Sequence, residues 1–308
     1  MLDRTHLRPV LGVALKIVSV VLLGTMAACV KYLGDAVPSG QIIFVRGLIS
    51  IAVLALIAWR VEGLHLLKTR NWRSHAFRSL SGTVSMFCLF TALTLIPFAD
   101  VTAITFTSPM FLTVLAMLFL GERIHAYRWS ALAAGFLGVV IMVGPHLSFG
   151  SGSSLGVLVA LAAAVFAALA MMFLRVMSGG GAEHAITITF YFSLTSMVFG
   201  ALTAVAGWPW PSAEQWAVIG AVGLFGVLGQ LLLTYSYRFA EASTIAPLDY
   251  ANLVVAVLYG YFVFDEIPGL STWIGAPLVV AAGLIILWRE YRRSVPRGLA
   301  ADPGGAAR

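Results

Sequence analysis

The sequence has few charged residues, few cysteines and no motif that carries catalysis. Charged residues make up 10% of the 308 residues and hydrophobic residues 60%, which is too little polarity to cover a soluble protein of this length. The two cysteines, Cys29 and Cys88, both fall in apolar stretches, so we expect neither a disulfide framework nor a metal site. The sequence has no Walker loop and no His–Glu metal spacing, so we expect no ATP hydrolysis, no metal and no other cofactor.

The chain has instead ten long apolar stretches. Each is about 17 to 24 residues long, enough to cross a ~30 Å hydrocarbon core as a helix. Because lipid cannot bond free backbone groups, such stretches are expected to be helical, and the alternation typical of a membrane barrel is absent. The sequence predicts an all-α integral membrane protein with ten transmembrane helices, near 11–33, 41–59, 76–95, 98–119, 127–144, 153–174, 185–206, 214–237, 241–264 and 271–288.

The basic residues lie on one side of this predicted arrangement. If the N-terminus is cytoplasmic, 17 of the 19 Lys and Arg lie on the cytoplasmic side, Lys16 and Arg78 among them, and the exceptions are Lys31 and Arg46. The outer loops hold no Lys or Arg. The positive-inside rule therefore predicts that both termini are cytoplasmic. The net charge is +6, but the basic residues are distributed by membrane side and do not cluster on one face. We therefore expect no nucleic-acid partner.

Two segments of the chain share one layout at a separation of 144 positions. PFADVTAITFTSPMFLTVLAMLFLGE (97–122) and EASTIAPLDYANLVVAVLYGYFVFDE (241–266) both start at a polar turn and stop at an acidic turn. At the same separation, Lys31 matches Arg175, each closing the first apolar stretch of its half. The chain is therefore interpreted as a duplication.

Each half holds five predicted helices, and this odd number inverts the second half relative to the first. Residues 11–144 form the first repeat, 145–152 a connector, 153–288 the second repeat, and 289–308 a cytoplasmic tail. Inverted repeats give many secondary transporters two nearly equivalent states, one open to each side, with the substrate near the midplane.

The ends of the two repeats resemble the EamA domain of the drug/metabolite transporter superfamily. The resemblance is carried by FTSPMFLTVLAMLFLGERIHAYRWSALAAGFLGVVIMVGP (106–145) and APLDYANLVVAVLYGYFVFDEIPGLSTWIGAPLVVAAGLIIL (246–287). It implies a ten-helix inverted-repeat fold in a bacterial cytoplasmic (inner) membrane, with a central cavity. It also implies a small organic solute as cargo: an amino acid, an amine, or a compound like S-adenosylmethionine or riboflavin. The first stretch has no internal acid, so the proton coupling of the smaller four-helix exporters is not carried over.

Asp249 is the one acidic residue that lies well inside a predicted helix. An ionisable group at that depth costs at least about 2.5 kcal/mol unless it faces a cavity or a partner. Pro247 removes a helical hydrogen bond two residues earlier and can kink the helix. Asp249 can bind a cationic or amide group of a substrate, carry a coupling proton, or pair with a neighbouring helix to fix packing. Its repeat counterpart is Thr105, so its role is not duplicated.

Polar residues cluster at matching positions of the fourth and ninth stretches. Two proline-interrupted, polar segments in equivalent positions are a good pointer to a transporter site, although a hydroxyl in lipid often bonds only to its own helix. The candidate cavity residues in these stretches are Thr102, Thr105, Ser108 and Pro109 in one and Pro247, Asp249, Tyr250 and Asn252 in the other.

Four further residues complete the candidate site. Phe87, Phe106 and Tyr235 can stack on a planar substrate or hold a cation over a ring, although most aromatic residues of membrane helices serve packing. Arg46 lies in the second stretch, where a long side chain can reach the interface or attract a carboxylate or phosphate. A direct Arg46–Asp249 pair is not expected, because the residues lie ~10 Å apart in depth.

The sequence thus predicts a secondary carrier of a small polar or amphipathic metabolite, with the lipid bilayer and the solute as its partners. A coupling proton and a monomeric or homodimeric state are left open. Two alternatives are an intramembrane enzyme acting on lipid-linked substrates and a channel or non-transporting membrane subunit. The enzyme would need clustered acids, histidines or bases at one membrane face. Channels usually arise from oligomeric pores, so a self-contained duplication favours the carrier.

Overall fold

The computed structural model describes residues 4–61, 63–69, 71–120, 126–144, 152–178, 184–239 and 246–294, and within them all regular structure is helical. Short 3₁₀ turns connect several helices. The α-helices, numbered along the chain, are α1 (Arg4–Leu33), α2 (Ser39–Val61), α3 (Trp72–Leu95), α4 (Phe98–Thr105), α5 (Ser108–Leu120), α6 (Ala126–Val143), α7 (Gly152–Ser178), α8 (Ala185–Leu202), α9 (Ala213–Phe239), α10 (Ala251–Phe264) and α11 (Leu270–Ser294).

The helices have the length and composition of membrane spans. Among the described residues, seven segments are long and apolar enough to cross a membrane, one of them running through α4 and α5. Three shorter apolar helices lie at 133–142, 248–264 and 270–282. Large apolar side chains cover much of the outside of the bundle; Phe136 and Phe262 are 69% and 74% exposed. A surface of this kind is suited to lipid, so the chain is an integral membrane α-protein.

The helix boundaries follow the predicted stretches closely, except inside two of them. The fourth stretch is divided at Phe106–Thr107 between α4 and α5, and the described part of the ninth has a 3₁₀ turn over Ala246–Tyr250 before α10. These two interruptions lie 144 positions apart. The repeat seen in sequence is therefore also a repeat of backbone structure.

Equivalent helices of the two halves run in opposite directions. The start of α2 meets the end of α8, because Phe44 lies against the backbone of Gly200. α6 and α11 cross where Gly138 and Gly275 each face the other's carbonyl oxygen, late in one helix and early in the other. Glycine at both positions lets the backbones approach closely, as is common in membrane helix pairs.

The halves pack through reciprocal helix pairs. α1 packs along α9, and the equivalent pair, α7 and α3, forms the matching contact. α2 meets both α8 and α9, and α8 meets α3 in turn. The main core cluster lies between the halves and includes Phe90, Phe98 and Ile219, all buried. This arrangement places the interrupted helices at the centre of the bundle.

Candidate functional site

The two helix interruptions face each other through equivalent aromatic residues. Phe106, at the end of α4, and Tyr250, at the end of the 3₁₀ turn, lie 144 positions apart. Their ring centroids are 4.9 Å apart at an interplanar angle of 68°, an edge-to-face contact. Two equivalent residues can touch only close to the axis that relates the repeats, so the interruptions meet at the centre of the molecule.

Proline accounts for the interruption in the first half. Pro109 has no N–H to donate to the carbonyl of Thr105, and its ring would clash with that carbonyl in a continuous helix. The chain turns at Phe106–Thr107, and α5 restarts with the amide of Phe111 donating to the carbonyl of Thr107 at 3.1 Å. In the second half, Pro247 lies within the 3₁₀ turn Ala246–Tyr250 that precedes α10.

Asp249 forms an ion pair with Lys16. The Nζ atom of Lys16 lies 2.6 Å from Oδ1 of Asp249. The lysine side chain is fully buried, whereas the aspartate side chain is 50% exposed. This contact joins α1 of the first half to the interruption in the second half. One member of the pair is therefore sealed in the protein, while the other remains accessible to a solute or a proton.

The residues beside Asp249 supply unused polar atoms. The hydroxyl of Tyr250 and the amide oxygen of Asn252 are buried and, within the described part of the chain, have no hydrogen-bond partner. Asn252 lies against Gly24 of α1, and two turns further along α10 the hydroxyl of Tyr259 is 2.7 Å from that of Thr25. Since buried polar atoms are normally bonded, two orphans beside an exposed carboxylate mark a place where a ligand can bind.

The hydroxyls of the first half are directed differently. Thr105 donates to the carbonyl of Thr102 at 2.8 Å, and Thr107 donates to that of Ile104 at 2.7 Å, so both bond to their own helix. Thr102 is buried, while Ser108 and Pro109 are half-buried beside the interruption. Thr105, the counterpart of Asp249, therefore already donates its hydroxyl proton to a carbonyl of its own helix.

The remaining predicted aromatic residues are spread along the bundle. Phe87 of α3 is half-buried against the main core cluster. Tyr235 of α9 packs in a separate cluster with Leu54 and Ile186, and its ring meets that of His184 at 6.5 Å. The structure thus groups Phe106 with Asp249, Tyr250 and Asn252, and it assigns Tyr235 to another part of the bundle.

Arg46 does not extend to the membrane interface, as one reading of the sequence allowed. Its side chain is 3% exposed, Nη1 donates to the sulfur of Met86 at 3.2 Å, and its Cζ lies 5.7 Å from the centroid of Phe192. Arg78, predicted at the cytoplasmic end of a helix, is also buried and lies 4.7 Å from the same centroid.

Lys31 forms a second ion pair, at the end of α1. Its Nζ lies 2.9 Å from Oε1 of Glu266 and donates to the carbonyls of Leu93 and Ile96, each at 3.1 Å. The other oxygen of Glu266 accepts the amide of Phe98 at 2.9 Å. This outer tie, Lys31–Glu266, joins α1, the start of α4 and the turn after α10. Glu122, the repeat counterpart of Glu266, lies outside the described residues.

Three buried charged residues were missed or misplaced by sequence reasoning. Lys16 and Arg78 were counted among cytoplasmic flanks, and Asp100, which accepts a hydrogen bond from Thr272, was taken as part of a polar turn. For Lys16 a signal was present, because Val10–Leu15 before it is already apolar and places it inside the helix. For Arg78 and Asp100 the neighbouring sequence is too mixed to indicate burial.

Comparison with protein families gives two matches along the chain. Residues 10–144 and residues 154–288 each match the EamA-like transporter family. A crystal structure with 20% sequence identity aligns with a TM-score of 0.64 over 92% of this chain and 98% of its own, which shows a shared fold.

Several relatives of this chain have names that state a cargo. An S-adenosylmethionine uptake transporter of Rickettsia felis is 30% identical over 85% of this chain and 87% of its own length. A riboflavin transporter of Rhizobium johnstonii is 31% identical over 75% of each chain. A pseudopaline exporter of Pseudomonas aeruginosa is 29% identical over 88% of this chain and 94% of its own. The relatives therefore include both uptake systems and an exporter.

Proposed function

We propose, because the chain belongs to the EamA-like transporter family, that it is a secondary transporter of a small organic metabolite. The proposal specifies alternating access across the bacterial cytoplasmic membrane. The candidate cargoes are compounds like S-adenosylmethionine or riboflavin, amino acids and amines. Relatives named for the first two compounds support these candidates, while the exporter among them leaves the direction of transport open.

The proposed topology has ten membrane spans in two inverted five-helix repeats, 11–144 and 153–288, with both termini in the cytoplasm. It is supported by the opposite directions of equivalent helices and by their reciprocal packing. In this topology α4 and α5 form one span, and the 3₁₀ turn with α10 forms another. Inverted repeats of this kind can exchange conformations, which gives one state open to each side.

The Lys16–Asp249 pair carries the proposal for the mechanism. Asp249 lies at one of the two facing helix interruptions and has a half-exposed side chain. It is bordered by the polar atoms of Tyr250 and Asn252 that lack a hydrogen-bond partner among the described residues. A cationic group of the solute, or a proton, competes with Lys16 for this carboxylate. Occupancy of Asp249 then changes the contact between α1 and the second half, and so couples binding to the exchange between the two states.

The test is uptake of radiolabelled compounds by vesicles that contain the purified full-length protein. The panel is S-adenosylmethionine, riboflavin, several amino acids and several amines, with protein-free vesicles as the control. We expect saturable uptake or counterflow of at least one compound. The rate of this transport should change with an imposed chemical gradient. Uptake equal to that of protein-free vesicles for every compound, from a correctly folded preparation, would contradict the proposal.

A further inference from the structure

Two buried arginines share one aromatic ring in the interior of the bundle. Arg46 of α2 and Arg78 of α3 are 3% and 8% exposed, and their Cζ atoms lie 5.7 Å and 4.7 Å from the centroid of Phe192. They lie seven and six residues into consecutive helices that enter from opposite ends, so each is about 10 Å from its end of the bundle. The shared ring is thus near the middle of the membrane.

Neither arginine has a compensating negative charge in the part of the chain that the structure describes. No carboxylate pairs with either guanidinium, and the two positive charges are close enough to repel each other. Nε of Arg46 and both Nε and Nη1 of Arg78 are buried without an acceptor there. Burial of an uncompensated guanidinium costs more free energy than a cation–π contact returns. The two arginines therefore form a site that is complete only with an anion.

The second half of the chain has no charged counterpart of this site. At a separation of 144 positions, Arg46 corresponds to Phe190 and Arg78 to Val222. Phe192 corresponds to Leu48. The fold therefore forms equivalent helices with apolar residues at these positions, and the arginines are not needed to build the repeat.

The surroundings of the two arginines supply further hydrogen-bond donors and a close contact with the second half. Gly226 of α9 lies against Arg46, since a Cβ atom at that position would be 2.6 Å from Nε. The hydroxyls of Ser50 and Ser79, near Arg46 and Arg78 along their helices, are buried and lack a partner among the described residues. The arginines, Phe192 and Gly226 come from both halves of the chain. An anion held here would therefore contact both of the units that move in alternating access.

We infer that Arg46 and Arg78 bind a carboxylate group of the transported solute. This inference rests on the proposed function and adds the chemical class of the cargo. A guanidinium donates two parallel N–H groups that match the two oxygens of a carboxylate. Both arginines lie within helices, so the site lacks the free N–H groups of a helix N-terminus that phosphate sites commonly use. Because Lys16 and Asp249 neutralise each other, the two guanidinium charges select an anionic or zwitterionic solute.

The test measures thermal stabilisation of the full-length protein in detergent, which does not depend on transport. The probes are L-methionine and N-acetyl-L-methionine, each with its carboxamide, together with methyl phosphate, all at one ionic strength. We expect the carboxylates to raise the melting temperature of the native protein and the carboxamides to have at least tenfold lower apparent affinity. Arg46→Gln and Arg78→Gln should each weaken carboxylate binding at least tenfold.

Exposed arginines on the same helices provide matched controls. Arg60 of α2 stacks on Trp59 and Arg73 of α3 on Trp72, each at 5.5 Å, and both are exposed. Arg60→Gln and Arg73→Gln should keep the carboxylate response. Equal responses to carboxylate and carboxamide, no response at all, or a response kept in both buried-arginine variants would overturn the inference. A stronger response to methyl phosphate would replace carboxylate by phosphate as the ligand. Each result stands apart from the uptake assay, which alone tests whether the protein is a transporter.

Discussion

At the scale of single residues, the charge that matters most is the one that the repeat does not duplicate. Asp249 corresponds to Thr105, and its partner Lys16 corresponds to Ala160, which is fully buried in α7. Both members of the ion pair are therefore confined to one side of the pseudosymmetric molecule. In the proposed mechanism, this asymmetric pair lets a solute or a proton act at one place while the remainder of the fold keeps its two nearly equivalent states.

Asp249→Asn is expected to abolish or uncouple transport. The variant leaves the buried ammonium of Lys16 without its ion-pair partner, and this should lower stability by roughly 1–3 kcal/mol, between the values for exposed and fully buried pairs. The double variant Lys16→Met/Asp249→Asn should regain much of the stability and still fail to transport. Melting temperature and initial uptake rate, measured on the same preparations, separate the two effects.

Asp265→Asn is the control for this experiment, because Asp265 is exposed outside the site and its φ of 52° is a conformation that Asn tolerates. This variant should resemble the native protein in both measurements. An unchanged uptake rate in Asp249→Asn would remove Asp249 from the mechanism, whatever happened to stability.

At the scale of elements, the helix interruptions place polar groups inside the bundle, whereas the outer tie fastens the helix ends together. The interruptions bring polar groups to the centre of the bundle, where Phe106 and Tyr250 meet. The outer tie closes the ends of the same elements, because Glu266 bonds both Lys31 and the first amide of α4. The start of α4 is consequently held by a side chain from the other half of the chain.

Glu266→Ala is expected to loosen the start of α4. The amide of Phe98 loses its acceptor, and a hydrogen bond to a charged group contributes about 1.5–3 kcal/mol, so its exchange should accelerate about tenfold or more. Hydrogen–deuterium exchange with mass spectrometry of the peptide that begins α4 measures this directly. Peptides from the middle of α3 should be unchanged. Equal exchange in the variant and the native protein would show that the tie does not hold α4.

At the scale of the whole molecule, the contacts assign helix ends to one common side. The ends of α1, α3 and α10 meet at the outer tie, and the start of α2 lies beside the segment before α9, where Gln41 donates to the carbonyl of Pro209 at 3.2 Å. The structure alone does not orient this side in a membrane. The positive-inside rule predicts that this side is outside, since the loops on this side hold no Lys or Arg.

Cysteine labelling tests that orientation. In a chain whose Cys29 and Cys88 are replaced by alanine, Asp35→Cys and Gly269→Cys should react with a membrane-impermeant thiol reagent added outside intact cells. Lys68→Cys, an exposed position on the opposite side, should react only after the membrane is opened. All three native residues are exposed, so accessibility differs only by membrane side. Labelling of Lys68→Cys alone in intact cells would reverse the orientation.

The sequence by itself determined the helical membrane class, the family resemblance and most helix boundaries. Hydrophobic length and turn residues act locally, and a lipid environment leaves helices as the consistent solution. The repeat also indicated Asp249, Tyr250 and Phe106, because proline and polar residues at matching positions can be recognised in the sequence. Distance along the helices predicts no direct pair between Arg46 and Asp249, and in the structure Asp249 pairs with Lys16.

Only the tertiary structure decided which charges meet. Lys16 and Asp249 are separated by most of the chain, and the packing of α1 against the second half brings them together. Arg78 was assigned to a flank because depth along the chain cannot show which face of a helix is buried. Its place on the ring of Phe192 depends on how α3 and α8 pack. Which buried charges contact each other depends on how the helices pack, and a local sequence pattern does not contain this information.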